Sequence, residues 1–292
     1  VTSGFAVITA QRFGAGSENG VRRSVATSII LGIAVTIVMT AISVLAARPL
    51  LEIMKTPSDI IDDSYNYIIV IFEGIAAAVF FNLFSSILRS LGDSKTPLVF
   101  LIIASIINII LDFVFILTFK MGVAGAGWAT VYRTIISGIL CFVYSLKKFP
   151  ILRLTKHDWK FSWRFAWQHL AVGLPMAFQF SITAIGTMVI QSALNSLGST
   201  AVAAFTAGSK IDQFATQPLA SLGVAVATYT AQNYGARELE RIKKGVTGAA
   251  IIATVCGIVG GFVVITFAKP LVALFVGNGQ NEVMSLSKNT LF

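Results

Sequence analysis

Long apolar stretches, separated by short charged segments, divide the chain at intervals typical of a protein that crosses a membrane repeatedly. Three of these stretches, at positions 25–47, 165–195 and 245–268, contain no Asp, Glu, Lys or Arg. A helix needs about 20 apolar residues to cross a bilayer core of about 30 Å. The alternating pattern of membrane strands is absent, so the sequence predicts spanning helices.

The apolar pattern predicts seven complete spans and parts of two more. The complete spans lie near 25–47, 65–88, 97–119, 122–146, 165–195, 199–232 and 246–268, and the partial ones at 1–10 and 285–292. Pro175 and Pro218 fall inside predicted spans and are expected to kink them.

Composition supports a membrane protein, and the distribution of charge argues against a nucleic-acid-binding domain. Apolar residues make up 55% of the 292 residues and charged residues only 12%, against about 25% charged residues in soluble domains. The net charge of +9 comes from segments between the apolar runs, as loop charges do. Cys141 and Cys256 lie within apolar runs, which predicts packing residues rather than a disulfide or a metal site.

An internal repeat is visible at an offset of 221 residues, because positions 9–50 return as 230–271. The matching segments include T-A-Q-R-F-G-A at 9–15 with T-A-Q-N-Y-G-A at 230–236, and A-R-P-L at 47–50 with A-K-P-L at 268–271. A duplication inside an apolar chain predicts a transporter built from two related halves.

The offset also predicts the organisation: an all-α, polytopic membrane protein with two pseudo-symmetric six-helix lobes. Residues 1–146 would form an N-terminal lobe that lacks its first helix and part of the second. Residues 147–164 would form a basic linker between the lobes, and 165–292 a C-terminal lobe that stops after its first three helices. Roughly 55 residues would then precede this chain and roughly 75 follow it.

Loop charge predicts the orientation. One set of alternate loops carries fifteen basic residues, including six in the linker, whereas the opposite set carries five. Basic loops stay cytoplasmic, so the linker is expected on the cytoplasmic side. Its interleaved tryptophans predict an amphipathic segment at the membrane surface.

Asp112 is the strongest candidate for function among the charges inside spans, where each charge costs about 2.5–3.5 kcal/mol or more. Asn108 precedes it by four residues on the same helix face, and Thr130 lies in the next span. Carboxylate, amide and hydroxyl oxygens can bind Na⁺, or burial can favour a protonated carboxyl. The alternative is a neutral aspartic acid that only packs helices.

Four other ionisable residues fall inside predicted spans. Glu73 either lines a cavity or lies near the interface. Arg133 is one turn after Thr130 and could pair with Asp112, which would weaken the cation-site hypothesis. Lys210 and Asp212 are about 200° apart on a helix and do not face each other. Each therefore pairs with another helix, reaches the interface, or faces a cavity.

Several motifs together resemble those of the multidrug and toxic compound extrusion (MATE) family. They are Q-R-F-G-A at 11–15 with Q-N-Y-G-A at 232–236, L-R-S-L-G-D-S-K-T-P at 88–97, N-I-I-L-D at 108–112 and G-V-A-G-A-G-W-A-T at 122–130. The resemblance implies twelve spans and places Asn108, Asp112 and Thr130 on three of the family's four N-lobe coupling positions. Some members carry an acidic residue in the seventh helix, where Gln179 is the nearest polar candidate here.

The resemblance further implies a bacterial inner-membrane antiporter that exports cationic, amphipathic drugs in exchange for H⁺ or Na⁺. We expect a monomer in the lipid bilayer, with no nucleic-acid partner, no catalytic residues, and no cofactor or metal beyond a coupling ion at Asp112. The nearest alternative is a flippase of lipid-linked sugars, which would need basic groups in its cavity. Only Arg133 and Lys210 offer these. A membrane enzyme is disfavoured because no catalytic cluster lies within the spans.

Overall fold

The computed structural model describes residues 1–53, 61–195 and 199–276, and every long regular element in these ranges is a helix. A π-helical segment, Val114–Thr118, follows the fifth helix, and a short 3₁₀ helix, Pro150–Leu152, lies between the sixth and seventh. The helices are α1 Thr2–Gly14, α2 Glu18–Ile53, α3 Ile61–Glu73, α4 Ile75–Ser90, α5 Lys95–Phe113, α6 Gly122–Lys148, α7 Trp163–Asn195, α8 Ser199–Gly235 and α9 Leu239–Val276.

The chain divides into two compact units, Val1–Leu174 and the part from Pro175 onward. The core of the first unit lies where α2, α4 and α6 meet the linker. Its fully or almost fully buried members include Val21, Val25, Ile87, Leu88, Cys141 and Leu152. The predicted packing role of Cys141 is therefore confirmed, whereas Cys256 is exposed on α9.

Within the described residues, five helices are long and apolar enough to cross a membrane, and a bent pair brings the number to six. They confirm a multi-pass, all-helical membrane protein. The predicted span 199–232 forms one continuous helix, α8, but is not among the five, because polar residues interrupt its apolar run. Helices α7 and α8 continue past Pro175 and Pro218. The partial span at 285–292 lies outside the described residues.

The predicted span 65–88 is broken at Gly74 into α3 and α4, which bend by 42°. A side chain at Gly74 would have its Cβ 2.6 Å from a methyl carbon of Val131 on α6. The glycine thus allows α6 to approach the bend closely. The hydropathy pattern carries no sign of this contact.

The turns at the ends of α1 and α8 have the same backbone geometry 221 positions apart. In the first, Ala15, Gly16 and Ser17 donate their N–H groups to the carbonyl oxygens of Gln11, Phe13 and Arg12. In the second, Ala236, Arg237 and Glu238 donate to Gln232, Tyr234 and Asn233. Gly16 and Arg237 are both left-handed, with φ of 67° and 62°.

In the second unit, α8 packs against α9 through a close contact between Tyr229 and Gly245. The Tyr229 hydroxyl also donates to the Arg241 carbonyl over 3.1 Å. A Cβ at Gly245 would overlap the tyrosine ring, so a larger residue at that position would require the ring to move.

Candidate ion-coupling site

Asp112 is the penultimate residue of α5 and lies two positions before the start of the π-helical segment Val114–Thr118. In that segment the backbone bonds span five residues, as in the bond from Phe119 N–H to the Val114 carbonyl at 3.0 Å. This π-helical segment ends the helix, since residues 119–121 form the turn that leads to α6. The local backbone therefore changes just beyond the one charge of this span.

The polar groups of α5 lack partners within the described structure. Asp112 is half-buried and forms no hydrogen bond or ion pair with a described residue. The side-chain nitrogen of Asn108 is buried and also unpaired among these residues. An isolated charge in lipid costs about 2.5–3.5 kcal/mol or more, so such groups favour a mobile partner such as an ion.

Thr130 and Arg133 lie on α6, which packs directly against α5. Both are half-buried. The turn at 119–121 joins the end of the π-helical segment to α6. At a rise of about 1.5 Å per residue, each of the four polar residues lies about 10–18 Å along its helix from this turn: Asn108, Asp112, Thr130 and Arg133. They are thus at similar depths on neighbouring helices.

Arg133 does not neutralise Asp112 within the described chain. No ion pair joins them, and the Arg133 Nε atom is buried without a partner there. The pairing that would have weakened the cation-site hypothesis is not present.

Two glycines nearer the turn let α6 lie close to its neighbours. A Cβ at Gly125 would be 3.2 Å from the Cβ of Phe115 in the π-helical segment. A Cβ at Gly127 would be 3.1 Å from Val70 on α3. Small residues at these two positions therefore allow close packing of α6.

The remaining candidates lie elsewhere. Glu73 is exposed at the end of α3. Gln179, Lys210 and Asp212 belong to the second unit and are exposed. Ile211, between the last two, is only 3% exposed.

The motif at 88–97 contains a polar cluster that sequence reasoning did not assign. The Asp93 carboxylate accepts bonds from the Thr96 N–H and hydroxyl, from the Tyr144 hydroxyl and from Lys148, at 2.9–3.3 Å. Burial raises the pKa of Asp93, but these bonds outweigh it and hold the pKa below its usual value. Asp93 thus joins the start of α5 to the end of α6.

A buried chain of hydrogen bonds was also missed. The Thr9 hydroxyl lies 2.9 Å from that of Ser24, which lies 2.9 Å from Nε2 of His169. The Nδ1 atom of His169 lies 3.0 Å from the Phe165 carbonyl oxygen, which fits a donor at Nδ1 and an acceptor at Nε2. The chain joins α1, α2 and the start of α7. In the sequence, the one signal for this chain of hydrogen bonds is that Thr9, Ser24 and His169 are polar residues in largely apolar segments.

Comparison with known proteins gives the decisive result. The family model MatE matches residues 1–114 and 175–291, which is more than half of the chain. The chain belongs to the MatE family. The candidate residues Asn108 and Asp112 fall within the first matched segment of the MatE model, and Thr130 and Arg133 fall outside it.

Relatives of this MatE chain carry transporter names. It is 28% identical over 283 residues to the probable multidrug resistance protein YoeA of Bacillus subtilis. The aligned region covers 94% of this chain and 61% of that protein. It is 30% identical over 273 residues to the probable multidrug resistance protein YpnP of the same species, covering 92% and 60%. The chain thus spans about three fifths of the length of these relatives.

The fold of the MatE chain matches that of a solved MATE transporter. An outward-facing multidrug resistance MATE family transporter superposes with a TM-score of 0.89 at 24% identity, covering 99% of this chain and 65% of that one. At this identity the match establishes the fold only.

Proposed function

We propose that this chain is the larger part of an efflux antiporter that exports cationic, amphipathic drugs in exchange for H⁺ or Na⁺. Membership of the MatE family and the multidrug-resistance names of its relatives support the transport of drugs. The same comparisons point to a transporter rather than an enzyme and favour efflux over the flippase alternative.

The unpartnered carboxylate of Asp112 is the observation that carries the coupling proposal. It lies within a membrane helix, next to a π-helical turn, and has no counter-charge in the described chain. Asn108 and Thr130 would supply further oxygen ligands if Na⁺ is the coupling ion. Binding of the ion would stabilise the state that releases the drug, since a ligand shifts populations by its differential affinity.

The proposed architecture has two related six-helix lobes that rock about a central cavity in the inner membrane. The equivalent turns at α1–α2 and α8–α9 and the two segments that match one family model support it. The linker would lie in the cytoplasm. The candidates for polar groups of the cavity are still Glu73, Gln179, Arg133, Lys210 and Asp212. We propose a monomer with no cofactor beyond the ion.

The test is drug efflux from vesicles that contain the intact protein with Asp112→Asn. Ethidium flux is driven by a pH gradient alone or a Na⁺ gradient alone, which also identifies the ion. We expect flux to fall to the level of protein-free vesicles, because the amide can neither take up a proton nor supply the charge that binds Na⁺.

Glu240→Gln is the matched control. Glu240 is 73% exposed at the start of α9, where it pairs with Lys243, so its loss should leave flux unchanged. Both variants must show the same thermal unfolding as the parent protein. Undiminished gradient-driven flux in Asp112→Asn would reject the assigned coupling role.

A further inference from the structure

An apolar groove of about 670 Å³ runs between α2 and α4 and ends beneath the linker. Its walls are residues from Val25 to Ile37 on α2 and from Ala76 to Phe84 on α4. Phe142 and Leu146 of α6 and Leu152, Leu154 and Trp159 of the linker close one end. Thr36 and Trp159 carry the polar side-chain groups of this lining, and the Thr36 hydroxyl already donates to the Gly32 carbonyl over 2.8 Å. Along its length the groove therefore offers an occupant mainly apolar side chains.

The length of the groove fits one leaflet of a bilayer. Twelve residues separate Val25 from Ile37, which gives about 18 Å along the helix at about 1.5 Å per residue. Half of a bilayer core is about 15 Å. Ile33 and Ile37 on its wall are 56% and 64% exposed, so the groove opens where the hydrocarbon of the membrane would lie.

The linker end of the groove carries uncompensated positive charge. Arg153, Lys156 and Lys160 are exposed and form no ion pair with any described residue. The one acid of the linker, Asp158, is 6% exposed. It accepts two bonds of 2.7 Å from Thr155, so its charge is directed inward and does not offset the three basic residues.

Trp159 lies at the boundary between these two regions. It lines the groove and is 44% exposed. Tryptophan is enriched where hydrocarbon meets head groups, because its ring is apolar and its N–H is polar. Its position agrees with a groove that begins at the head-group level and extends into the hydrocarbon.

We propose that this groove binds an anionic phospholipid, with one acyl chain between α2 and α4 and the phosphate at Arg153 and Lys156. A cationic drug would be repelled at this mouth, whereas an anionic head group is attracted by about 1 kcal/mol per basic residue. The lipid would hold the linker against α2 and α4, a role separate from ion coupling at Asp112.

The experiment measures quenching of Trp159 by brominated acyl chains. The intact protein, with every other tryptophan replaced by Phe, is placed in phosphatidylcholine nanodiscs. These contain a minor fraction of either dibromo-phosphatidylglycerol or dibromo-phosphatidylcholine. We expect the anionic lipid to quench with at least about fivefold higher apparent affinity. A variant that keeps only Trp128, on α6 and outside the groove lining, should be quenched equally by both lipids.

Two variants separate the charge from the cavity. The double variant Arg153→Gln/Lys156→Gln should lose the preference for the anionic lipid but keep the same quenching by phosphatidylcholine. Ala76→Phe, from an exposed position on the groove wall, should reduce quenching by both lipids. Thermal unfolding in detergent confirms that each variant is folded.

Equal quenching by the two lipids, or a preference that survives the loss of both basic residues, would overturn the proposal. Quenching by neither lipid would show that another protein segment covers the groove, which also overturns it. Displacement of the brominated lipid by tetraphenylphosphonium would assign the groove to a cationic substrate instead. None of these outcomes depends on gradient-driven flux, so they are distinct from failure of the coupling role of Asp112.

Discussion

Ser24 and Ser28 lie on successive turns of α2 and are both fully buried, but their hydroxyl groups differ in environment. Ser24 connects Thr9 to His169, whereas the Ser28 hydroxyl has no partner in the described structure. Two identical residues four positions apart thus make opposite contributions, which residue type alone does not reveal.

Ser24→Ala should lower the free energy of unfolding by about 1–3 kcal/mol, because the Thr9 hydroxyl and the His169 ring nitrogen lose their shared partner in a dry site. Ser28→Ala should leave it unchanged or raise it by up to about 1 kcal/mol, because the alanine removes a buried hydroxyl that forms no hydrogen bond. Unfolding of both variants in detergent, followed by circular dichroism, measures the difference. Equal destabilisation by the two would show that the hydrogen-bond chain has no stabilising role.

Asp93 predicts a specific dependence of stability on pH. Its pKa in the folded protein is held below the usual value by bonds that outweigh its burial. The carboxylate therefore makes its full contribution to the free energy of unfolding above the pKa of the unfolded state, about 3.9. That contribution is lost as the pH falls through the lower pKa of the folded state. Asp93→Asn should therefore be less stable than the parent by about 1–2 kcal/mol at pH 7, and the gap should narrow below about pH 4.

Asp62→Asn is the matched control for Asp93. The Asp62 side chain is 81% exposed and lies 3.9 Å from Arg48, and such surface pairs contribute about 0–1 kcal/mol. Thermal unfolding of the three proteins between pH 3 and pH 7 makes the comparison. A constant gap between parent and Asp93→Asn across this range would contradict the assignment.

At the scale of elements, the crossing of α1 with the start of α7 depends on two glycines. A Cβ added at Gly4 would lie 2.6 Å from the Cα of Gly173 and 2.9 Å from its nitrogen. Both are backbone atoms, so the clash cannot be relieved by a rotamer change. The helices can approach this closely only because neither carries a side chain at the crossing.

Gly4→Ala should therefore destabilise the protein by about 1–3 kcal/mol, as overpacking does. Gly186→Ala, farther along α7, has nothing within 4 Å of the new methyl group. It should be neutral or stabilising by up to about 1 kcal/mol, because alanine favours the helix. Unfolding measurements on both variants test the opposite signs, and a neutral Gly4→Ala would show that the crossing is looser than described.

Two departures from regular helix geometry could not be predicted from the hydropathy pattern. The bend at Gly74 and the π-helical turn after Asp112 both lie inside runs that read as continuous spans. In each case the neighbouring contact is on α6, at Val131 and Gly125 respectively. The pattern reports how apolar a segment is, whereas its bends depend on what packs against it.

At the scale of the whole molecule, loop charge predicts which side of the membrane each segment faces. With Cys256→Ser as background, Lys156→Cys in the linker should react with an impermeant maleimide in inside-out vesicles but not in intact cells. Lys120→Cys, in the turn before α6, should show the reverse. This follows because basic loops are retained in the cytoplasm.

Labelling of Lys156→Cys from outside intact cells would reverse the proposed orientation. Cys141 is buried and serves as an internal control, because it should stay unlabelled in folded protein on either side. Labelling of this residue would indicate unfolded material rather than topology.

The sequence alone determined the class of the protein, most of its helices and its candidate coupling residues. Transfer of a segment from water to lipid depends on that segment's own composition, so spans can be predicted one at a time. Asp112 and Asn108 were found in the same way, because a polar group in an apolar run is expensive wherever its neighbours lie. Their coupling role is still a prediction.

Only the tertiary structure decided which buried polar groups are paired and where helices bend or approach. The partner of Ser24 lies 145 residues away on α7, and the groove requires α2, α4 and the linker together. Contacts between helices depend on the shapes and polar groups of facing surfaces. The hydropathy of a single segment contains no information on which surface it will face.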